Sequence, residues 1–204
     1  MKLEFQKRRP HRNHLRGFST MELLVVMAVG TILTAVALPS FLRAYRNYQL
    51  NDAANQVAGV LKYTHYEAIR LNVPLLTPLR ARISNTQTQA GVYVFCDSNN
   101  NSTVVSTDKQ ALFPGDVTLV PSSTPPNTGG LATAVGVTAF TNISPTSGSI
   151  SFDQRGAVSP PAVSVIYIGN TGIPALGYQA VVVLPTGSIQ IWSSDSGGNW
   201  TRVD

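Results

Sequence analysis

Residues 17–42 read GFSTMELLVVMAVGTILTAVALPSFL, and this stretch decides the fold. Positions 23–42 form a run of 20 residues without a charged side chain, bounded by Arg16 on one side and by Arg43 and Arg46 on the other. At about 1.5 Å of rise per residue, a helix of that length spans roughly 30 Å, which is the thickness of the bilayer core. The sequence therefore predicts a membrane-spanning helix at about residues 21–42.

The positive charge of the chain is confined to its first residues. The formal net charge is +5 over 204 residues. Residues 1–17 hold six basic side chains and one acidic one, six minus one being +5, and the other 187 residues hold nine of each sign. The basic pI therefore does not describe a nucleic-acid-binding domain. A basic segment before an apolar run instead predicts a cytoplasmic amino terminus. With a single cysteine, the chain is also not a disulfide scaffold.

Two explanations fit the amino-terminal region. An ordinary secretory signal would be cut after Ala37, at the small-x-small site Ala35-Val36-Ala37. A second explanation retains the apolar run, because helical sequence resumes beyond Pro39. Gly17-Phe18 followed by STMELLVV resembles the leader of type IV pilins and pseudopilins, which are cut between Gly and Phe and carry Glu at the fifth mature position. Glu22 lies at that position, and Pro39 lies where pilins commonly carry a helix-kinking proline.

The resemblance implies a processing site and an assembly segment. A prepilin peptidase/N-methyltransferase would cut between Gly17 and Phe18 and methylate the new amine. Phe18, Glu22 and Pro39 would serve assembly, with the Glu22 carboxylate paired to the Phe18 amine of a neighbouring subunit. A carboxylate at the edge of a membrane span costs several kcal/mol unless it is paired or neutral, so pairing removes a penalty. The expected organisation is a leader at 1–17, a long helix at 18–73 and a β-rich domain at 74–204.

The second half of the predicted helix is apolar on one side. Pro74 is expected to end the helix. An apolar stripe at three- and four-residue spacing predicts packing on a sheet. Its members are Ala53, Val57, Val60, Leu61, Thr64, Ala68 and Leu71.

Residues 75–204 change to short β-rich runs separated by Gly, Pro, Ser and Asn, which predicts antiparallel sheets. The fold class is therefore α+β: a long amino-terminal helix packed on an antiparallel β-sheet or β-sandwich domain, similar to pilins. Residues 121–134, PSSTPPNTGGLATA, predict a flexible insertion. The expected strands are 79–84, 91–96, 103–107, 117–120, 135–140, 149–153, 163–168, 178–184 and 188–192.

Three further segments resemble a narrower group, the H-type minor pseudopilins of type II secretion and the T-type fimbrial minor pilins (GspH/FimT-like). They are YTHYEAIRLNVPLL at 63–76, ISFDQRGAV at 150–158 and VVVLPTGSIQIW at 181–192. The Phe152/Gly156 spacing and the late Thr-Gly turn recur in that group. Its DNA-uptake members carry a Gly-Arg pair, whereas Gly187 is followed here by Ser188 and only Arg202 lies nearby. Phosphate binding needs several cations, so the sequence disfavours DNA uptake.

The sequence does not favour an enzyme or a cofactor. After cleavage His65 is the remaining histidine, and it lies on the predicted helix, away from any Ser-His-Asp relay. Cys96 is expected to be a buried strand thiol. A zinc site would need more Cys and His residues. One weak calcium alternative remains, with Ser102 where such loops need Gly; it consists of Asp97, Asn99, Asn101 and Asp108.

These observations predict a minor pseudopilin or pilin that assembles through its amino-terminal helix into a type II secretion pseudopilus or a type IV pilus. The expected partners are the prepilin peptidase/N-methyltransferase, other pilins or pseudopilins and the inner-membrane assembly platform. The expected location is the bacterial inner membrane, with the carboxy-terminal domain in the periplasm, and then the filament. The alternative is a secreted or single-pass membrane-anchored β-domain binding protein. A mature amino terminus at Phe18 favours the former, and one at Leu38 favours the latter.

Overall fold

The computed structural model describes residues 18–74, 77–84, 92–113, 115–143 and 147–203. Two units meet within the first helix, one ending at Leu42 and the other beginning at Arg43. The first unit holds the apolar start of the helix. The second holds the rest of the helix and all the β-structure, and its core is described below.

The first helix, α1, covers Thr20–Arg70 and is 51 residues long. Its carboxy end is closed by Asn72, which has a positive φ of 48°, and the N–H of Val73 donates to the carbonyl of Ala68. This arrangement satisfies carbonyls that the helix end would otherwise leave free, and Pro74 follows it. The predicted long amino-terminal helix is confirmed.

The apolar stripe of α1 is the face that packs on the sheets. Of the seven residues of the predicted stripe, six are buried, and Leu71 is exposed because it lies beyond the helix end. The one polar member, Thr64, donates its hydroxyl to the Val60 carbonyl at 2.8 Å, so its burial leaves no unmet donor. Burying a side chain such as Leu61 contributes about 1.5–3 kcal/mol. The second half of α1 is therefore held by this face.

The β-structure forms two sheets that are antiparallel except for one short parallel pair. The first sheet has four strands, in the order β3-β2-β1-β6. The second has the order β10-β9-β8-β7-β4, and β5 pairs with β7 in parallel. The strands are β1 (Leu79–Ser84), β2 (Val92–Asp97), β3 (Gln110–Leu112), β4 (Val117–Val120), β5 (Thr141–Asn142), β6 (Ser147–Phe152), β7 (Ser164–Asn170), β8 (Tyr178–Val183), β9 (Ile189–Ser194) and β10 (Trp200–Arg202).

The second sheet is covered on both faces. Every residue of β7 and β8 is buried. Alternate side chains, such as Ile166 and Val181, join the core cluster that contains α1. The intervening ones, such as Tyr167 and Val182, join a second cluster with Trp192. Central strands buried on both sides show continuous hydrophobic runs, as these do.

The second cluster is covered by a segment that the sequence did not predict to be ordered. Part of the expected flexible insertion at 121–134 is a helix, α2, which covers Thr128–Val135. Asn127 caps it by accepting a hydrogen bond from the Gly130 N–H at 3.1 Å, and Leu131 is fully buried. The prediction was wrong here because one anchored leucine outweighs a composition typical of linkers.

Two predicted strands are also absent from the described residues. Residues 103–107 form turns, because the N–H of Val105 donates to the Asp108 carboxylate at 3.0 Å instead of joining a ladder. Residues 135–140 contain the end of α2 and its Gly136 cap, which has a φ of 82°. In both places a local side-chain or cap interaction outcompetes the β-propensity of Val and Thr.

Candidate functional site

The amino-terminal part of α1 is an apolar surface that nothing in the described residues covers. The most apolar 18-residue window of the helix has a mean hydropathy of 2.2 and no buried residue. Leu24, Ile32 and Phe41 are each more than 60% exposed. A contiguous apolar surface of this size requires lipid or protein against it. By length and composition, this helix can serve as a membrane span or a signal anchor.

The hydroxyl groups in this segment are satisfied within the helix. Thr31 donates to the Met27 carbonyl at 2.7 Å, and Thr34 donates to the Gly30 carbonyl at 2.8 Å. Hydrocarbon offers no partner for a polar group, so helices in lipid must satisfy such groups internally. The segment is therefore compatible with a dry environment at these positions, although both threonines are exposed in the isolated chain.

Glu22 is the exception, because it brings a carboxylate to the start of the apolar surface. It lies in the first turn of α1, is exposed, and forms no ion pair with any residue that the structure describes. A negative charge in a first turn interacts favourably with the helix dipole by about 0.3–1 kcal/mol. That gain is much smaller than the cost of burying the carboxylate without a partner.

The residues before Glu22 offer a second, local role for it. The N–H of Met21 donates to the Ser19 hydroxyl at 3.4 Å, so Ser19 caps the helix. The letters Ser19-Thr20-Met21-Glu22 fit a capping box, in which Glu at the third helical position reaches back to the cap. In the structure Ser19 accepts from the second helical residue and not from the third, so it acts as a simple N-cap, and neither contact of the box is recorded among the described residues. Any test of Glu22 must therefore separate its charge from its capping ability.

The structure gives the positions of two other predicted assembly residues, Phe18 and Pro39, and their roles stay predictions. Gly17 lies outside the described residues, so the processing site stays a prediction. Phe18 is 78% exposed, directly before the helix cap. Pro39 lies inside α1, which continues on both sides of it. Its ring removes one backbone N–H from the helix.

In the second unit, the segments 63–76, 150–158 and 181–192, which were singled out in the sequence, meet around one histidine. The rings of His65 on α1 and Phe152 at the end of β6 are 5.7 Å apart and edge to face. Gly156 and Gly187, which both have positive φ, lie against the same imidazole. The N–H of Val158 donates to the Pro185 carbonyl at 2.9 Å and ties the two glycine turns together. We call His65, Phe152, Gly156 and Gly187 the His65 cluster.

This cluster was not predicted as a unit. Its members were each noted in the sequence, but they lie up to 122 positions apart, and their convergence depends on how β6 and β8 are placed beside α1. The packing explains why both turns use glycine. A Cβ at Gly156 would lie 2.7 Å from the His65 Cδ2, and a Cβ at Gly187 would lie at the same distance from that atom.

The His65 cluster predicts a loss of stability in mild acid. Burial lowers the pKa of His65 below its usual value, so the folded protein favours the neutral imidazole. The unfolded chain then binds more protons as the pH falls through about 6.5, and folding stability decreases with it. We expect the melting temperature to fall between pH 7.5 and pH 5.5, and to fall less in His65→Gln. Equal pH dependence in both proteins, measured by circular dichroism, would contradict this assignment.

The turn around Asp97 holds the residues of the calcium alternative. Asp97 is fully buried, forms an ion pair with Arg82, and accepts hydrogen bonds from the N–H groups of Asn101 and Ser102, both at 3.0 Å. Asp108 is buried and accepts from the Ser98 hydroxyl at 2.7 Å. Both carboxylates are therefore engaged in contacts within the chain. The side-chain oxygen of Asn101 accepts from the Thr103 N–H at 2.9 Å, as in a polar turn, and the calcium alternative with Asn99 stays a prediction.

The structure also shows where the candidate nucleophile, Cys96, and the candidate base, His65, lie. Cys96 is a buried thiol in β2, as predicted, and burial raises its pKa, which keeps it protonated. The ring contacts of His65 are to Tyr66 and Phe152. No cluster of three or more His, Cys, Asp or Glu suited to a metal occurs among the described residues.

Searches against protein-family models, curated proteins and solved structures returned no match to this chain. Its class is therefore defined by its own geometry: an α+β protein whose first helix has an uncovered apolar start and a core-packed second half.

Proposed function

We propose that the chain is a minor pilin or pseudopilin that assembles through the amino-terminal part of α1 into a type IV pilus or a type II secretion pseudopilus. The observation that carries this proposal is the continuity of α1. One unbroken helix contains both the uncovered apolar segment and the face that packs on the sheets. A discarded signal peptide has no need to continue into a core helix of the mature domain.

The charge distribution supports the orientation. Six basic side chains before the apolar run favour a cytoplasmic amino terminus. Before assembly, the helix therefore spans the inner membrane and the β-rich domain lies in the periplasm. The prepilin peptidase/N-methyltransferase then removes residues 1–17 and methylates the amine of Phe18. The assembly platform moves the helix from lipid into a bundle of similar helices. Both environments cover the same apolar surface.

Glu22 supplies the specific contact in this mechanism. Moving α1 into a filament core removes water from the Glu22 carboxylate, which has no ion-pair partner among the described residues of its own chain. The amine of Phe18 in a neighbouring subunit is a cation that can pair with this carboxylate. Methylation keeps that charge. The pair satisfies both groups and fixes the axial position of one subunit against the next.

The first test is the mature amino terminus, read by mass spectrometry of the protein from membranes. We expect a chain that begins at methylated Phe18. A chain that begins at Leu38 would overturn the proposal in favour of a secreted β-domain protein with an ordinary signal, which the small residues Ala35 and Ala37 would permit.

Two variants, one at each of the two possible cleavage sites, test the alternatives against each other. Gly17→Val should leave the leader attached, because it places a bulky residue at the proposed cut. Ala37→Val should be processed normally, because that position is then in the middle of a retained helix. The opposite pattern, with Ala37→Val unprocessed and Gly17→Val unaffected, would support the secretory signal.

A further inference from the structure

A cavity of about 380 Å³ opens beside the His65 cluster, between α1 and the turn that joins β8 to β9. This volume is at the lower end of the range for small-molecule sites, about 300–1,000 Å³. All of its lining belongs to the second unit, so it is separate from the apolar assembly segment. The helix contributes Lys62, His65 and Tyr66, and the turn contributes Thr186, Gly187 and Ser188.

The charge in this cavity is uncompensated. Lys62 is exposed and forms no ion pair with the residues the structure describes, and no acidic side chain lines the cavity. Glu67, the nearest acid along α1, is paired with Arg70. Asp153, in the turn that contains Gly156, accepts hydrogen bonds from the N–H groups of Arg155 and Ala157 at 2.8 and 2.9 Å. Both of these hydrogen bonds go to the Oδ1 of Asp153, and neither Glu67 nor Asp153 lines the cavity.

The other polar groups of the cavity can donate hydrogen bonds. Tyr66, Thr186 and Ser188 each carry a hydroxyl, which can point its proton at an acceptor. One ammonium with several hydroxyl donors matches a ligand with a single negative charge and two acceptor oxygens. A carboxylate is such a group, and a protein can present it singly, whereas a phosphodiester, which has the same charge and two free oxygens, comes in a backbone of many charges. A polyphosphate backbone would need several cations, and the cavity lining holds one lysine.

We infer that this cavity binds a carboxylate of a protein partner, supplied by an aspartate or glutamate side chain or by a chain's free carboxy terminus. The Lys62 ammonium pairs with the carboxylate, and the hydroxyls of the turn and of Tyr66 take its second oxygen. The half-buried imidazole of His65 lines the cavity beside them. This inference does not depend on the proposed function, since no residue of the assembly segment takes part.

The test uses the full-length chain, labelled with ¹⁵N and held in nonionic detergent micelles. Acetyl-Gly-Glu-Gly-amide offers only a side-chain carboxylate, and acetyl-Gly-Gly-Gly offers only a terminal one. We expect saturable shifts in the amide signals of Lys62, Gly187 and Ser188 with at least one of them, and the stronger binder identifies the source. Acetyl-Gly-Gln-Gly-amide, which is isosteric but neutral, should not bind. Equal shifts with the glutamine peptide would overturn the inference.

A matched pair of variants isolates the lysine. Lys62→Gln should weaken the apparent affinity by about tenfold or more, the equivalent of one charge-assisted hydrogen bond. Lys109→Gln removes the same charge from an exposed position outside the cavity and should change nothing. Unchanged binding in Lys62→Gln, with a melting temperature like that of the wild type, would overturn the inference.

Nucleic acid is the competing ligand, and it is tested in the same spectra. A DNA duplex that shifts the same amides at lower concentration than the peptides, with strong dependence on salt, would overturn the carboxylate assignment. The result is separable from the assembly proposal, because neither leader cleavage nor filament formation enters the measurement. If the chain binds the glutamate peptide but its mature form begins at Leu38, the carboxylate site is supported and the assembly proposal is wrong.

Discussion

Glu22→Gln is expected to reduce incorporation of the subunit into filaments by about 30-fold or more, while its level in the membrane stays the same. The substitution removes the charge and keeps the size and the polar end of the side chain. Removing one partner of a desolvated, hydrogen-bonded charge pair costs about 2–5 kcal/mol, since the other charge is left unpaired. The measurement compares the subunit in sheared filaments with that in the membrane fraction by immunoblot.

The choice of glutamine separates this role from helix capping. Glutamine serves as well as glutamate at the third position of a capping box, so Glu22→Gln leaves that local interaction available. Ser19→Ala is the complementary variant, because it removes the hydroxyl that accepts from the Met21 N–H and leaves the charge in place. Loss of a cap costs about 1 kcal/mol. We expect Ser19→Ala to assemble nearly normally. If Ser19→Ala assembles poorly and Glu22→Gln assembles well, the carboxylate acts on its own helix and the intersubunit pair is wrong.

The fold was predictable to the extent that it follows from periodicity. The apolar run and the three- and four-residue stripe predicted α1, and the stripe correctly identified Val57, Leu61 and Ala68 as buried. Four strands of the second sheet, β4, β7, β8 and β9, were also predicted, because they are rich in β-branched and aromatic residues, whereas the short strands β5 and β10 were not.

Structure that depends on single contacts was not predictable. α2 contains Gly129 and Gly130 in a helix of eight residues, and helix propensity alone disfavours it. It forms because Leu131 is buried in the second cluster and because the Trp200 indole N–H donates to the Asn127 carbonyl at 3.2 Å. Residue 200 lies 73 positions from residue 127. No local pattern in the sequence connects them.

Among the candidate functional residues, too, some could be identified from the sequence and others only from the fold. Gly17, Phe18 and Glu22 were identified from a local motif, which needs no tertiary structure to be recognised, and their roles stay predictions. The His65 cluster and the cavity beside it depend on residues from α1, β6 and the β8–β9 turn. The three segments 63–76, 150–158 and 181–192 were singled out in the sequence, but only the fold brings them together.

Gly187→Ala is expected to lower the free energy of unfolding by about 3 kcal/mol. Gly187 has a φ of 83°, where an L side chain costs about 1–2 kcal/mol. The added Cβ would also lie 2.7 Å from the His65 Cδ2, and closer still to the carbonyl oxygen of Gly156. For a domain of this size, the melting temperature should fall by about 6–12 °C.

Gly59→Ala is the matched control, because Gly59 lies within α1 and a Cβ there would meet nothing within 4 Å. It should raise stability by about 0.5–1 kcal/mol through helix propensity. Adding His65→Ala to Gly187→Ala should recover part of the loss and not all of it, since the contact with the Gly156 carbonyl and the backbone strain remain. The measurement is the melting temperature at pH 7.5 of the wild type, Gly187→Ala, Gly59→Ala and the double variant. If Gly187→Ala melts like the wild type, the turn does not pack against His65 in solution, and the cavity built on that turn loses its wall as well.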